Sequence, residues 1–247
     1  FIGLHYFYHA AKNRLVEIIP GKYTSASTLD AAKLFSIRSG KDPIYCADSY
    51  GFVVNRFFVP WLNEAVKIFD EEVANIPTID DVCQKVFGIG MGPFALMNAT
   101  GVLVACHAEK TLEVFGELYK VSKRLNTQAD SGTNWDLSGE VSSDIQLRNA
   151  IANRLMGLVF YVSAQLQDEK VCSAADINRG ARIGLRWEKG PVEMMKQLGE
   201  EKVKHLVSGI IKRYHSAMPH SIGEDFWKMN FVKQKKNGSV AVITMNR

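Results

Sequence analysis

Two side chains near the start of the chain have the chemistry of an acid–base pair. His5 lies in the apolar and aromatic run Phe1-Ile2-Gly3-Leu4-His5-Tyr6-Phe7-Tyr8, and Glu17 lies in a second run, Leu15-Val16-Glu17-Ile18-Ile19. The segment between them is long enough to turn, so two strands can lay the side chains together. A carboxylate beside an imidazole fixes its tautomer and stabilises the imidazolium, the wiring of a general acid–base. On pattern alone the alternatives stay open: a histidine satisfied within a core, and a glutamate facing solvent. Asn55 ends an apolar run where a helix begins. It is read as a cap or first-turn residue, or as an amide presented to a ligand. Lys12, Asn13 and Arg14 read as a solvated basic turn.

Other chemistries lack their residues. No Gly-x-Gly-x-x-Gly follows a strand, and there is no P-loop and no Gly-x-Ser-x-Gly. Gly88-Ile89-Gly90-Met91-Gly92 precedes Pro93 between helices, whereas a dinucleotide loop needs a strand before it. His107, His205, His215 and His220 show no ligand spacing with Cys, Asp or Glu, and Cys46, Cys83, Cys106 and Cys172 show no metal-type spacing. The expectation is no metal and buried, reduced thiols in a cytoplasmic protein. A net charge of +4 over 247 residues is too small and scattered to argue for nucleic acid. No apolar run approaches the ~18 residues that span a bilayer. With 47% hydrophobic and 23% charged residues, the composition excludes disorder and low-complexity architecture.

The elements that would position these residues fall into regions. Residues 1–48 read as strand, strand, helix, strand, the edge of a mixed sheet that cannot close a core alone. Thr24 to Thr28 supplies N-cap chemistry for a helix through about Arg38. Residues 49–122 read as helical. Phe58, Leu62, Ala65, Val66 and Phe69 recur at helical spacing, with further helix over Ile79–Val86, Phe94–Met97 and Val102–Leu118. Residues 123–144 read as a linker and 145–225 as helical again. Residues 226–247 read as a linker, in which Lys233, Lys235 and Lys236 form a solvated face, and a final strand from Ser239 to Arg247. Both ends open or close on strand-like runs, so both are expected to continue into structure outside the chain.

The two helical regions repeat. A shift of 98 positions lays Asn55-Arg56 on Asn153-Arg154 and Asp70-Glu71 on Asp168-Glu169. It also lays Ile79 on Ile177, Gly92-Pro93 on Gly190-Pro191, Met97 on Met195 and Gly101 on Gly199, without a gap. A duplicated helical domain is predicted, packed as a pseudo-two-fold pair.

Phe1-Ile2-Gly3-Leu4-His5-Tyr6-Phe7 followed by Leu15-Val16-Glu17-Ile18-Ile19-Pro20 resembles the signature block of the L-3-hydroxyacyl-CoA dehydrogenase family. Gly40-Lys41-Asp42-Pro43-Ile44, Asp48 to Arg56 and Met91-Gly92-Pro93-Phe94 follow in the family's order. The resemblance is specific over about residues 1–120 and weaker over the second repeat. It implies a mainly α fold with a small β edge: the last strands of a Rossmann sheet, then a duplicated all-α C-terminal domain of the 6-phosphogluconate dehydrogenase C-terminal-like type. The tail is similar to the opening strand of the crotonase fold, which implies a fused dehydrogenase–hydratase.

By that resemblance His5 is the catalytic acid–base, Glu17 its partner and Asn55 the residue that holds the substrate carbonyl end. The substrate is an acyl-CoA and the cofactor is NAD, bound mainly by a domain absent from this chain, which on its own would not turn over. The family has Asn-Pro where this sequence has Tyr8-His9, so Tyr8 takes a substrate-side position. A homodimer, or a pseudo-dimer through the repeats, is expected. Two other readings are a non-catalytic dimerisation or interaction module and a related dehydrogenase of a non-CoA hydroxy acid.

Overall fold

A computed structural model describes residues 1–223 and 232–245. The chain opens on a three-stranded sheet of order β1-β2-β3. β1 (Ile2–Tyr6) runs antiparallel to β2 (Leu15–Pro20). The chain then crosses through helix α1 (Ala26–Arg38) to β3 (Asp42–Tyr45), which pairs parallel to β2. β2 is central, so its residues from Leu15 to Ile19 are buried. Leu15 and Ile19 join the core shared with the helices, which puts Glu17, between them, on the same helix-facing side. Ser25 caps α1, its hydroxyl accepting from the Thr28 amide at 3.2 Å.

The first helical repeat comprises α2 (Val54–Asp70), α3 (Ile76–Phe87), α4 (Pro93–Thr100), α5 (Val102–Leu112) and α6 (Lys123–Ser131). α3 begins three residues before the expected Ile79. Asn75 caps it and Pro77 falls in the first turn, where proline costs no hydrogen bond. The helix expected to run to Leu118 ends at Leu112 instead. Two short 3₁₀ turns flank Gly116, whose φ of 109° a helix cannot hold. α6 occupies the start of the stretch read as a linker. Ser122 caps it, and Leu125 and Ala129 bury one face, an apolar pair too sparse to stand out among polar neighbours.

The second repeat comprises α7 (Ile145–Asp168), α8 (Ala174–Arg179) with a π turn over Gly180–Gly184, α9 (Pro191–Leu198) and α10 (Glu200–Tyr214). The duplication holds in three dimensions. Asp80 accepts from the Phe94 and Ala95 amides at 2.9 and 3.0 Å, capping α4. Asn178, 98 positions on, accepts from Val192 and Glu193 at 2.9 and 3.2 Å, capping α9. Gly92 and Gly190 pass so close to these caps that a Cβ would sit 2.4 Å from Asp80 or 2.2 Å from Asn178. Left-handed residues coincide as well: Glu72 with Lys170 at φ 57° and 55°, and Gly88 with Arg186 at 63° and 59°.

The repeats lock through the pairs that the sequence comparison aligned. Arg56 of the first repeat reaches Glu169 of the second, Nη2 to Oε1 at 2.7 Å. Arg154 of the second reaches Glu71 of the first through two hydrogen bonds of 2.6 and 2.8 Å. Arg154 also donates Nε to Glu64 at 2.5 Å, a carboxylate with no solvent exposure. α2 and α7 form the centre of one core that also takes in the sheet's Leu15, Ile19, Ile44 and Cys46. Gly180 and Gly184 let the second repeat press onto that sheet, since a Cβ would lie 2.7 Å from Val54 or 2.6 Å from Leu15.

The terminal strand has a partner inside the chain. β4 (Val232–Asn237) and β5 (Val240–Met245) form an antiparallel hairpin across Gly238-Ser239, with Gly238 at φ 59°. Lys233, Lys235 and Lys236, read as a linker face, are strand residues, and the tail is not a lone strand. Residues 226–231 of that region, and the expected strand's end at Asn246 and Arg247, lie outside the described residues. No described helix is long and apolar enough to cross a membrane. All four cysteines are free.

Arg154→Met should lower the unfolding free energy by about 3 kcal/mol in chemical denaturation, because it leaves the buried Glu64 carboxylate only the Tyr214 hydroxyl and the more distant Lys67 ammonium. Glu71 supplies a second, pH-dependent readout. Burial raises its carboxyl, but the hydrogen bonds and charges of Arg154 and Arg213 outweigh that and hold it below its ordinary range. The stability it contributes is therefore present above the unfolded-state value of ~4.3 and is lost as pH falls through the lower folded-state value. Glu71→Gln should flatten the acid limb of the stability–pH curve relative to wild type; an unchanged limb would contradict this.

Candidate functional site

The strand register carries the site. His5 of β1 lies directly opposite Glu17 of β2. Their side chains meet, Nδ1 to Oε2, at 2.6 Å. Glu17 is fully buried, while the His5 side chain keeps 28% of its exposure. One edge of the imidazole is thus anchored while the ring still reaches the surface.

Glu17 is held from its other oxygen. Oε1 accepts from the backbone N–H groups of Val53 and Val54 at 3.1 and 2.9 Å. These are the first amides of α2, whose N-cap residue, Val53, has no side chain able to cap. The carboxylate of β2 therefore caps a helix that has no local cap, and the helix N-terminus favours its negative charge. With three donors aimed at it, Glu17 is placed as an acceptor. Nδ1 of His5 then carries the proton and Nε2 presents a lone pair.

The turn from Asp48 to Val53 sets the helix start beside the dyad. Gly51 and Phe52 are left-handed, at φ 76° and 47°, and a Cβ on Gly51 would meet Leu112 at 2.9 Å. The turn swings Phe52 onto the imidazole with ring centroids 5.4 Å apart, and Phe7 contacts the same ring edge-on at 4.7 Å. The two aromatic rings restrict the imidazole's rotation. Sequence reasoning passed over both; the Gly51-Phe52 step just before a helix was the available signal.

Asn55 sits in the first turn of α2, one residue past the amides that hold Glu17. It does not cap the helix, a role taken by Glu17. Tyr8 lies past the end of β1 and is 80% exposed. Its ring centroid is 5.7 Å from that of His9. The basic turn is only partly solvated. Asn13 is buried and donates to the Gly184 carbonyl of the second repeat at 2.8 Å, while its own oxygen accepts from Leu15 at 3.1 Å. Lys41 binds the Asn13 carbonyl at 2.7 Å, and Arg14 pairs with Asp42. The loop joining the dyad's strands is thereby tied to the far repeat, a role that the run Lys-Asn-Arg does not advertise.

Comparison with known proteins follows this division. Residues 1–49 match the family model described as 3-hydroxyacyl-CoA dehydrogenase, NAD binding domain. Residues 51–139 match that of the 3-hydroxyacyl-CoA dehydrogenase C-terminal domain. The mitochondrial hydroxyacyl-coenzyme A dehydrogenases of Sus scrofa and Homo sapiens are 39% and 38% identical to the chain over 102 residues. Those matches take in 41% of this chain and 32% of each relative, about a third of its length. A crystal structure of 3-hydroxybutyryl-CoA dehydrogenase from Escherichia coli superposes with a TM-score of 0.76 at 18% identity. It covers 90% of this chain and 69% of that one, a likeness of fold. A (S)-3-hydroxybutyryl-CoA dehydrogenase from Ralstonia eutropha is 31% identical with a TM-score of 0.52, over 53% of this chain and 47% of that one. The chain belongs to the 3-hydroxyacyl-CoA dehydrogenase family.

One expectation is corrected by these matches. Residues 1–48 were read as the last strands and helix of a Rossmann-type NAD-binding domain, with NAD bound mainly by a domain absent from the chain; the family model of the NAD-binding domain matches residues 1–49. The reason for the misreading is that these residues contain no glycine-rich strand-to-helix loop. Helix α1 does follow a strand, but Ser25 fills its N-terminus. The His5–Glu17 pair lies within the stretch that the NAD-binding family model matches.

Glu17→Ala should cost about 1–3 kcal/mol more in thermal unfolding than Glu17→Gln, because the alanine leaves the buried Val53 and Val54 amides unpaired while glutamine keeps an acceptor. Amide hydrogen exchange at Val53 and Val54 should speed up in the alanine variant and stay near wild type in the glutamine one.

Proposed function

We propose that the chain supplies the proton-transfer residues of an NAD-dependent 3-hydroxyacyl-CoA dehydrogenase. The 2.6 Å bond from His5 to a Glu17 carboxylate fixed by the start of α2 carries this reading. In the oxidative direction Nε2 of His5 takes the proton of the substrate 3-hydroxyl. The resulting imidazolium is stabilised by Glu17, which is already charged and already oriented, so little reorganisation accompanies the transfer. In the reductive direction the imidazolium returns the proton to the oxygen at C3. NAD, when bound, accepts the hydride. Asn55 holds the thioester carbonyl end, and Tyr8 lines the approach to the imidazole.

The two repeats take the place of a dimer's paired domains, as their reciprocal ion pairs support. We further infer that the complete protein carries an enoyl-CoA hydratase activity. Only the similarity of the tail to a crotonase strand supports that part.

The test is His5→Gln in the complete protein. NADH-linked reduction of acetoacetyl-CoA should fall by roughly 10²–10⁴-fold in kcat, the usual contribution of a general acid–base, with thermal stability near wild type. Hydration of crotonyl-CoA should be untouched. Unchanged reduction would remove His5 from the chemistry, and absent hydration in the wild type would remove the fusion.

A further inference from the structure

The repeat relation maps the surface around Asn55 onto a second place in the molecule. A cavity of about 270 Å³ lies between the C-terminal end of α2, the first half of α7, and α10. Its walls include Asn153 and His205, which stand 98 positions after Asn55 and His107. In the first repeat the sheet covers the corresponding helix start, because Glu17 of β2 caps it. In the second repeat no strand among the described residues is laid there. α7 continues two turns toward its N-terminus, to Ile145, and the space beside it stays open.

The lining is divided by polarity. Ile68, Ile151, Leu206 and Ile210 are buried beneath it and make an apolar floor. Gly209 faces it from mid-helix, and a Cβ there would meet nothing within 4 Å, so the missing side chain is part of the volume. At the mouth stand Asn153, His205 and Arg213. Arg154 is committed to Glu64 and Glu71. Arg213 gives only Nη1 to Glu71, which leaves Nε and Nη2 for a ligand. Asn153 and His205 have no side-chain hydrogen bond among the described residues. An apolar pocket with a few convergent donors at one end is the ordinary form of a small-molecule site.

We propose that this cavity binds a medium-chain aliphatic acyl group, its oxygen head held by Arg213, Asn153 and His205 and its chain lying over Ile68, Ile151, Leu206 and Ile210. At ~30 Å³ per water-sized group, the cavity takes about nine such groups, the size of an eight-carbon acid. Glu71 beside the mouth pairs with both Arg154 and Arg213, so the head is met by the remaining hydrogen-bond donors of Arg213, Asn153 and His205 and not by net positive charge. The choice of an acyl body rests on the proposed function. The cavity's volume and polarity do not.

The probes are octanoate for a free carboxylate and octanoyl-CoA for a thioester, titrated calorimetrically into the complete protein. Octanoate should bind at one site, and butyrate should bind on the order of 100-fold more weakly for its four missing methylenes. Octanol should bind about 10-fold more weakly, since its head offers one oxygen to these donors where the acid offers two. Gly209→Leu fills the space with a better helix former and should abolish octanoate binding while leaving acetoacetyl-CoA reduction unchanged. Asn153→Ala, which breaks no existing side-chain bond, should weaken binding several-fold and serves if the leucine variant does not fold. Octanoyl-CoA bound in wild type and lost in Gly209→Leu identifies a thioester as the source; octanoate alone behaving so identifies a free acid. No binding of either probe, equal binding by Gly209→Leu, or octanoate competing with acetoacetyl-CoA in both proteins would overturn the proposal. Because binding is read without turnover, a failed His5→Gln test leaves this result interpretable.

Discussion

The structure depends on one buried carboxylate serving two masters. Glu17 accepts from the imidazole of His5 through one oxygen and from the first two amides of α2 through the other. Either duty alone would leave a charge in the core short of partners, and a buried carboxylate is tolerated only when its lone pairs are met. Together they make the site and the fold interdependent. The helix that opens the first repeat has no cap without the sheet, and the imidazole has no fixed orientation without the helix. A movement between sheet and helices would be felt at His5 directly.

Around that joint the chain builds a symmetric support. The duplicated repeats exchange ion pairs, Arg56 with Glu169 and Arg154 with Glu71. Their central helices bury one continuous core, and their second and third helices are fastened by the same long-range cap, a carboxylate in one copy and a carboxamide in the other. The second copy does more than mirror the first. Its Gly180–Gly184 turn packs on the sheet, and its Gly184 carbonyl binds Asn13 in the loop between the dyad's strands. The position of His5 is thus fixed from three sides: by β2, by the first repeat and by the second.

This arrangement suits a proton-transfer site. The imidazole is anchored at Nδ1, flanked by Phe7 and Phe52, and open at its other edge. Membership of the 3-hydroxyacyl-CoA dehydrogenase family gives that geometry its chemical setting. The chain contributes orientation and charge. The dyad lies in the stretch that the NAD-binding family model matches, although no glycine-rich strand-to-helix loop occurs there.

Much was legible in the sequence because the signals are local or periodic. Apolar runs, cap residues and turn residues placed β1, β2, α1 and β3. Apolar spacing placed α2. The 98-residue shift exposed the duplication, since an Asn-Arg pair, an Asp-Glu pair and a Gly-Pro step rarely keep register by chance. The spacing of His5 and Glu17 allowed the dyad but could not establish it, because contact depends on strand register, and a slip of one residue turns either side chain to the opposite face. Boundaries failed where a polar cap and a first-turn proline precede the apolar run or where a single glycine breaks the helix, as at Asn75 and Gly116. What only the tertiary structure decided is long-range: that Glu17 caps α2, that Asn13 ties a loop to the other repeat, that Arg56 and Arg154 reach across the duplication, and that the tail folds back as a hairpin. Each joins residues whose sequence separation hides the contact, and each is settled by where buried charges and unpaired backbone amides find partners.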